Sequence, residues 1–297
     1  MKWLLAGSSG FLGTALRKRL AIRQDDVLRL VRRDPNSSQE LRWDPAAGVL
    51  DPAAFDGVDV VVNLAGVGVA GWLWTPSRRE AIRSSRVDTT ATLARALAQL
   101  ESAPALVHAS GVAIYGTERD ERPSTEDSPP ATDFLAQVVV AWEEAARPAA
   151  AAGGRVVSLR TSPVMSASGG AFKLMRLAWS LGAGATLGDG NQRMPMIALE
   201  DYLRALIWAA ETSDAAGPYN LTIPEPTTNR EFSDVLAKAL RRPRFLAAPA
   251  PVLRAVLGEL AEQLLGDMYV VPARLTTAGF TFTAPDVRAL VASALSD

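Results

Sequence analysis

The sequence predicts an α/β chain built on a doubly wound parallel sheet, followed by a smaller α+β lobe. Three observations predict this class. A glycine-rich turn joins a short apolar run to an amphipathic segment near the start. Strand-like and helix-like segments then alternate to about residue 160. The inner strand candidates are nearly continuous apolar runs, as parallel strands covered on both faces tend to be.

Taken in order, Lys2 to Ala6 reads as a buried strand, and Phe11 to Ile22 as a helix with Leu12, Leu16 and Leu20 at helical spacing. Val27 to Val31 is the second strand, and Trp43-Asp44 would end a third. Val58 to Leu64 follows, then a long helix over Arg78 to Leu100 and a strand over Ala105 to Ala109. An alanine-rich stretch, Phe134 to Ala152, reads as one helix stopped by Gly153-Gly154, with Val156 to Leu159 the next strand. Beyond Arg160 glycines crowd positions 169 to 190, and prolines punctuate short segments. Helices are predicted at Ala198–Thr212, Asn229–Leu240 and Pro251–Leu265, with Thr228 or Asn229 as an N-cap. The expected layout is a nucleotide-binding domain over 1–160, interleaved with a substrate lobe over 161–297 whose tail begins near 246.

Composition narrows the chemistry. Thirty-one basic against thirty-two acidic residues give a net charge of −1, which removes the electrostatic case for nucleic-acid binding. The absence of cysteine excludes disulfides and thiolate catalysis, and a lone histidine, His108, excludes a multi-histidine metal site. The first residues resemble a signal peptide only superficially. Their apolar run falls far short of the ~20 residues that a bilayer requires, so a cytoplasmic chain with no membrane partner is expected.

Gly7-Ser8-Ser9-Gly10-Phe11-Leu12-Gly13 is a G-x-x-G-x-x-G between strand and helix. Its glycines permit a tight turn and let backbone N–H groups approach a pyrophosphate at the helix N-terminus. A merely tight βα turn is the plainer alternative. In a Rossmann fold, a carboxylate about 20 residues on would hold the ribose 2′-hydroxyl of NAD. Here Arg32 and Arg33 occupy that place, and guanidinium groups suit a 2′-phosphate instead. NADP is therefore expected, with Asp34 keeping NAD as the alternative.

Further motifs carry a family resemblance. Asn63-Leu64-Ala65-Gly66, Ser110-Gly111-Val112-Ala113-Ile114-Tyr115-Gly116 and Trp142-Glu143, with the glycine turn, resemble the extended short-chain dehydrogenase/reductases. Trp74-Thr75, Ser85-Arg86 before Thr89-Thr90, Asp133-Phe134-Leu135, the Gly188-x-Gly190-x-Gln192 turn and Gly217-Pro218-Tyr219-Asn220-Leu221 narrow it further. They are similar to an atypical, epimerase-like branch of unknown function with its own C-terminal domain. The resemblance implies a Rossmann domain plus C-terminal lobe. It also implies that Asn63, Leu64, Ala65 and Gly66 line the adenine and ribose side, and that Trp43 and Asp44 lie near the adenine. One departure stands out: the branch typically carries a tryptophan and a histidine where this chain reads Met194-Pro195-Met196-Ile197-Ala198.

Ordinary members of the superfamily use a tyrosine, with a lysine four residues on to lower its pKa, and a serine to steady the substrate oxygen. The four residues that follow Tyr115, Tyr202, Tyr219 and Tyr269 at that spacing are Arg119, Leu206, Ile223 and Ala273, so no Y-x-x-x-K exists. Phe134 and Val138 stand where the motif should fall. Ser110 and Tyr115 remain as candidate catalytic residues, Ser110 also touching the cofactor. Lys173, Glu126 and Asp133 are lesser candidates, and His108 reads best as a satisfied core residue. Trp72, Trp74 and Phe134 are candidate pocket walls. Two functions stay open: an NADP-dependent oxidoreductase or epimerase-like enzyme for a small carbonyl or alcohol, and a non-catalytic NADP-binding regulatory or scaffold protein. By analogy with the superfamily, the chain could pair as a homodimer.

Overall fold

The computed structural model describes residues 1–69, 74–118, 120–244 and 246–297. The glycine turn separates β1 (Lys2–Ala6) from α1 (Phe11–Ile22), and β2 (Asp26–Val31), β3 (Glu40–Asp44) and β4 (Val49–Leu50) follow. Next come β5 (Val60–Asn63), α2 (Pro76–Leu97), β6 (Ala105–Gly111), α3 (Phe134–Glu144), α4 (Arg147–Ala151) and β7 (Val156–Thr161). The second half supplies β8 (Val164–Met165), α5 (Gly170–Ser180), β9 (Ala185–Leu187), β10 (Ile197–Ala198), α6 (Leu199–Glu211) and β11 (Gly217–Leu221). It ends with α7 (Asn229–Ala239), β12 (Leu246–Ala248), α8 (Ala250–Leu257), α9 (Leu260–Leu265), α10 (Ala273–Thr277) and α11 (Val287–Ser296).

One sheet runs in the order β11-β7-β6-β5-β1-β2-β3-β4, parallel throughout except for the β3–β4 pair. The chain winds outward from β1 through β2 and β3, then restarts on β1's other side at β5. The switch point between β1 and β5 is where open α/β sheets form a crevice at their strands' C-terminal ends. Strand alternation fills both faces. Trp3 and Leu5 of β1 enter one core with Leu16, Leu20 and Tyr202, while Leu4 and Ala6 enter another with Trp43, Leu93 and Leu97. The two halves of the chain interleave, because β11 pairs with β7 and α6 packs onto the core beneath β1. A third cluster, including Phe172, Trp179, Met196, Phe232 and Leu290, forms the lobe's own core. Met196 and Ala198, where the branch's tryptophan and histidine are missing, are fully buried.

Caps explain the helix starts. Thr75 accepts from the Arg78 N–H ahead of Pro76, which starts α2 two residues before the predicted Arg78. Thr228 and Glu231 form a capping box at α7. Two predicted helices are each split. Phe134–Ala152 breaks between α3 and α4 because Pro148 has no N–H to extend the ladder. Pro251–Leu265 breaks at Gly258, whose φ of 55° ends α8. Among the described residues, no helix is long and apolar enough to cross a membrane.

Candidate cofactor cleft and a buried polar network

The glycine turn is as tight as the sequence demands. Gly7 has φ 77°, and a Cβ there would lie 2.5 Å from the Leu64 carbonyl carbon. A Cβ on Gly13 would lie 2.2 Å from the Gly7 oxygen, so a side chain at Gly7 would force the turn off the Leu64–Ala65 backbone and one at Gly13 would push α1 off the turn. Gly10 caps α1 without a side-chain hydrogen bond, which leaves first-turn N–H groups facing the cleft. Phe11 turns away from the crevice and packs against Gly169 and Gly170.

A cleft of about 730 Å³ opens at the switch point. It brings together Gly7, Ser9, Gly10, Arg32, Arg33, Leu64, Ala65 and Gly66, all expected there. Trp43, expected near the adenine, lines it too, whereas Asn63 does not; Arg29, Glu40, Ser85 and Asp88 join the lining with no sequence signal that assigned them to the site. Leu12 and Gly13 lie behind the turn, outside the cleft's lining. So does Asp44, whose carboxylate instead accepts from the Ala46 and Ala47 N–H groups at 3.1 Å. A separate cavity of about 460 Å³, beyond the Pro45–Gly48 turn, contains none of the predicted residues.

The basic corner is wired through Glu40. Arg33 grips its carboxylate with two bonds of 2.7 and 2.8 Å, Arg29 approaches it at 3.2 Å and the Asn36 N–H donates at 2.8 Å. The Arg33 hydrogen bonds, reinforced by Asn36, hold the Glu40 carboxyl down to about 2. Arg32 forms no ion pair among the described residues. Asp34 pairs with Arg42 at 2.6 Å and does not line the cleft.

The two candidate catalytic hydroxyls lie in a different environment from the one expected. Ser110 Oγ, 4% exposed, donates to Glu143 at 2.6 Å. Glu143 receives two bonds of 2.9 Å from Arg160, itself 7% exposed. Arg160 also donates to the Tyr115 oxygen at 2.8 Å and to the Glu126 carbonyl at 3.0 Å, and Tyr115 donates to Asn220 at 2.7 Å. Burial pushes the Tyr115 phenol up, only partly offset by Arg160. Burial opposes the Glu143 charge too, but the Arg160 hydrogen bonds win and hold that carboxyl below its usual range. The network joins β6, α3, β7 and β11, and both hydroxyls have their single donor proton committed inside it.

The remaining candidates resolve as follows. His108 is fully buried, donates from Nδ1 to the Ala109 carbonyl at 3.0 Å and accepts from Ser158 at 2.8 Å. Burial lowers its pKa, so it is a neutral core histidine. Asp133 caps α3, and Glu126 accepts from the Asn220 and Arg274 N–H groups. Lys173 stands on the exposed side of α5. Phe134 packs edge-on to Trp74 at 5.5 Å with the Arg79 guanidinium 4.4 Å from its ring. Trp72 lies outside the described residues. No cluster that could hold a metal exists among the described residues.

Arg86 is an electrostatic oddity. It packs beneath Gly66, its guanidinium 5.1 Å from the Trp142 ring and one N–H on the Ile82 carbonyl at 2.9 Å. Burial, with Arg78 nearby, lowers its pKa to about 10. A cation–π contact offers about 0.5–2 kcal/mol, whereas desolvating an ion costs several kcal/mol.

Comparison with known proteins places these features in a family. Residues 3–222 match the NAD dependent epimerase/dehydratase family, and residues 248–294 match a domain of unknown function, DUF1731. The chain is 44% identical to the epimerase family protein Mb2239 of Mycobacterium bovis, over 94% of this chain and 92% of that one. It is 34% identical to human SDR39U1, covering 97% and 98% of the two chains. A crystal structure of human SDR39U1 (isoform 2) with NADPH superposes with a TM-score of 0.89 at 31% identity, covering both chains completely. A nucleoside-diphosphate sugar epimerase from Corynebacterium glutamicum superposes at 0.82 with 32% identity, over 99% of this chain and 58% of that one.

Proposed function

The chain belongs to the NAD dependent epimerase/dehydratase family, and from that premise we propose that it binds NADP(H) across the switch point between β1 and β5. The residues present suit that group. The bare glycine turn and uncapped α1 N-terminus suit a diphosphate, Trp43 offers an apolar wall for a base, and Arg32 and Arg33 suit a 2′-phosphate. The observation that carries the choice of NADP is Arg32, a guanidinium at the cleft with no carboxylate partner among the described residues. The NADPH in the human relative's crystal structure supports the same reading.

When bound, NADP(H) supplies hydride chemistry toward a small carbonyl or alcohol compound. The chain's own part is to bind and orient. Ser110 and Tyr115 serve as structural members of the network, and any proton required comes from solvent rather than from a Tyr–Lys pair. A second reading is a non-catalytic protein whose cofactor binding switches a surface. It is favoured by the engagement of both hydroxyls and by Phe134 in the apolar corner.

The test is to titrate NADPH, then screen carbonyl compounds for loss of its absorbance with wild type and Tyr115→Phe. Turnover that survives Tyr115→Phe supports the enzyme with solvent as acid. Tight NADPH binding with no turnover of any compound favours the second reading, and turnover abolished by Tyr115→Phe in a normally folded protein refutes the structural role of that residue.

A further inference from the structure

We infer that Arg86 is an anion-recognition residue for a ligand in this cleft, taking an oxyanion, either a phosphate or a carboxylate, close to Gly66. The inference rests on the cleft being the ligand site and deepens that reading. The guanidinium is partly buried between α2, α3 and the segment after β5, yet its partners among the described residues are one carbonyl and one aromatic face. A charge drawn partly out of water is favoured by a partner of opposite sign. No carboxylate lies within ion-pairing distance among the described residues, and the other residues, Ala70, Gly71, Trp72, Leu73, Arg119 and Phe245, include no acid.

Position says where the missing anion belongs. Gly66 lines the cleft, and a Cβ on it would sit 3.5 Å from the Arg86 side chain. Because Gly66 has no side chain, a single backbone thickness separates the guanidinium from the crevice. Ser85, the preceding residue, lines the cleft and its Oγ accepts from the Val67 N–H at 3.2 Å, which fixes this segment over α2. Arg78, two turns earlier on the same helix, donates to the Gly68 carbonyl and is close enough to act on Arg86. Two guanidinium groups therefore flank residues 66–68, and among the described residues they meet two carbonyls and the Trp142 face but no carboxylate. They stand across β1 from the 2′-phosphate corner on β2, so the anion they await is a second one: the cofactor's diphosphate, or an acidic group of the substrate.

Arg86→Met removes the charge while keeping an apolar stem over Trp142, and Arg86→Lys keeps a charge. Both are compared with wild type by thermal unfolding and by titration with NADPH and with adenosine 2′,5′-bisphosphate, which lacks the diphosphate link. Arg86→Met without ligand is expected to melt no lower than wild type, since it relieves a partly buried charge that has no carboxylate partner among the described residues. Its NADPH affinity is expected to fall by about tenfold or more, with the bisphosphate's unchanged and Arg86→Lys retaining most of the affinity. That result identifies the cofactor's diphosphate as the anion. If NADPH affinity is unchanged, inorganic phosphate, pyrophosphate, oxalate and malonate are tested as stabilisers of the NADPH-bound chain. An anion that raises the wild-type midpoint but not that of Arg86→Met identifies the substrate's acidic group. Arg86→Met and Arg86→Lys that both melt low, with ligand responses equal to wild type, overturn the inference and leave a structural cation. If wild type binds neither nucleotide, the cofactor reading fails by itself, and the same anions on the unliganded chain still decide Arg86.

Discussion

Glu143→Ala separates a structural network from a catalytic one. The substitution leaves Arg160, with its side chain 8% exposed, holding only the Tyr115 oxygen and the Glu126 carbonyl, and leaves Ser110 without an acceptor. Breaking a buried pair by removing one partner costs about 3–5 kcal/mol. With an unfolding entropy of ~2.1 cal/mol/K per residue, a chain of this length loses roughly 5–8 °C of Tm for that cost. Replacing both members, Glu143→Leu with Arg160→Met, should recover most of it, because the pair's desolvation is removed along with its attraction. Since the folded Glu143 carboxyl is held below its usual 4.5, its contribution is complete above that pH and is lost as pH falls below it. The Tm gap between wild type and Glu143→Ala should therefore close in acid. The assay is thermal unfolding followed by NADPH titration, with affinity expected to stay within about twofold of wild type. A Tm shift under one degree, or a normal Tm with NADPH binding lost, would refute the reasoning.

Three further outcomes are expected. Arg32→Ala with Arg33→Ala should weaken NADPH by about 10- to 100-fold and NADH by less than about threefold, read by calorimetric titration; equal weakening of both refutes the 2′-phosphate assignment. Of the single variants, Arg33→Ala should be the worse, because it removes the two hydrogen bonds that neutralise Glu40 and leaves a carboxylate facing the 2′-phosphate. Gly13→Ala should abolish NADPH binding, since its Cβ would meet the Gly7 oxygen at 2.2 Å, and near-wild-type affinity would show that the turn can relax. Tyr115→Phe should lower Tm by only a few degrees, for a loss of about 1–3 kcal/mol as Asn220 and Arg160 each lose a partner, with NADPH affinity unchanged.

Local patterns announced most of the fold. α1 matches its predicted bounds, and β1, β2, β6 and β7 lie where apolar runs met glycine or charge. The turn at Gly7–Gly13 was legible because close backbone approach leaves only glycine as an option. Pro148 and Gly258 were visible as breakers, but periodicity outweighed them and two helices were read too long. β11 was noted only as a motif, because pairing with β7 sixty residues earlier is a tertiary fact that no local signal carries. The buried polar network was hidden for the same reason, although Arg160 inside the apolar strand Val156–Thr161 was a usable sign, since a charge in a buried strand requires a partner. Ser110 looked catalytic because a strand's C-terminal end is where ligands bind, yet the alternation that aligns it with His108 turns it toward α3 and Glu143.

The most direct test is the affinity of the unmodified chain for NADPH and NADH, titrated side by side at one salt concentration. Arg32, with no carboxylate partner among the described residues, beside the Arg33–Glu40 clamp predicts NADPH binding at least about tenfold tighter than NADH. Equal affinities, tighter NADH, or no binding of either nucleotide would contradict it.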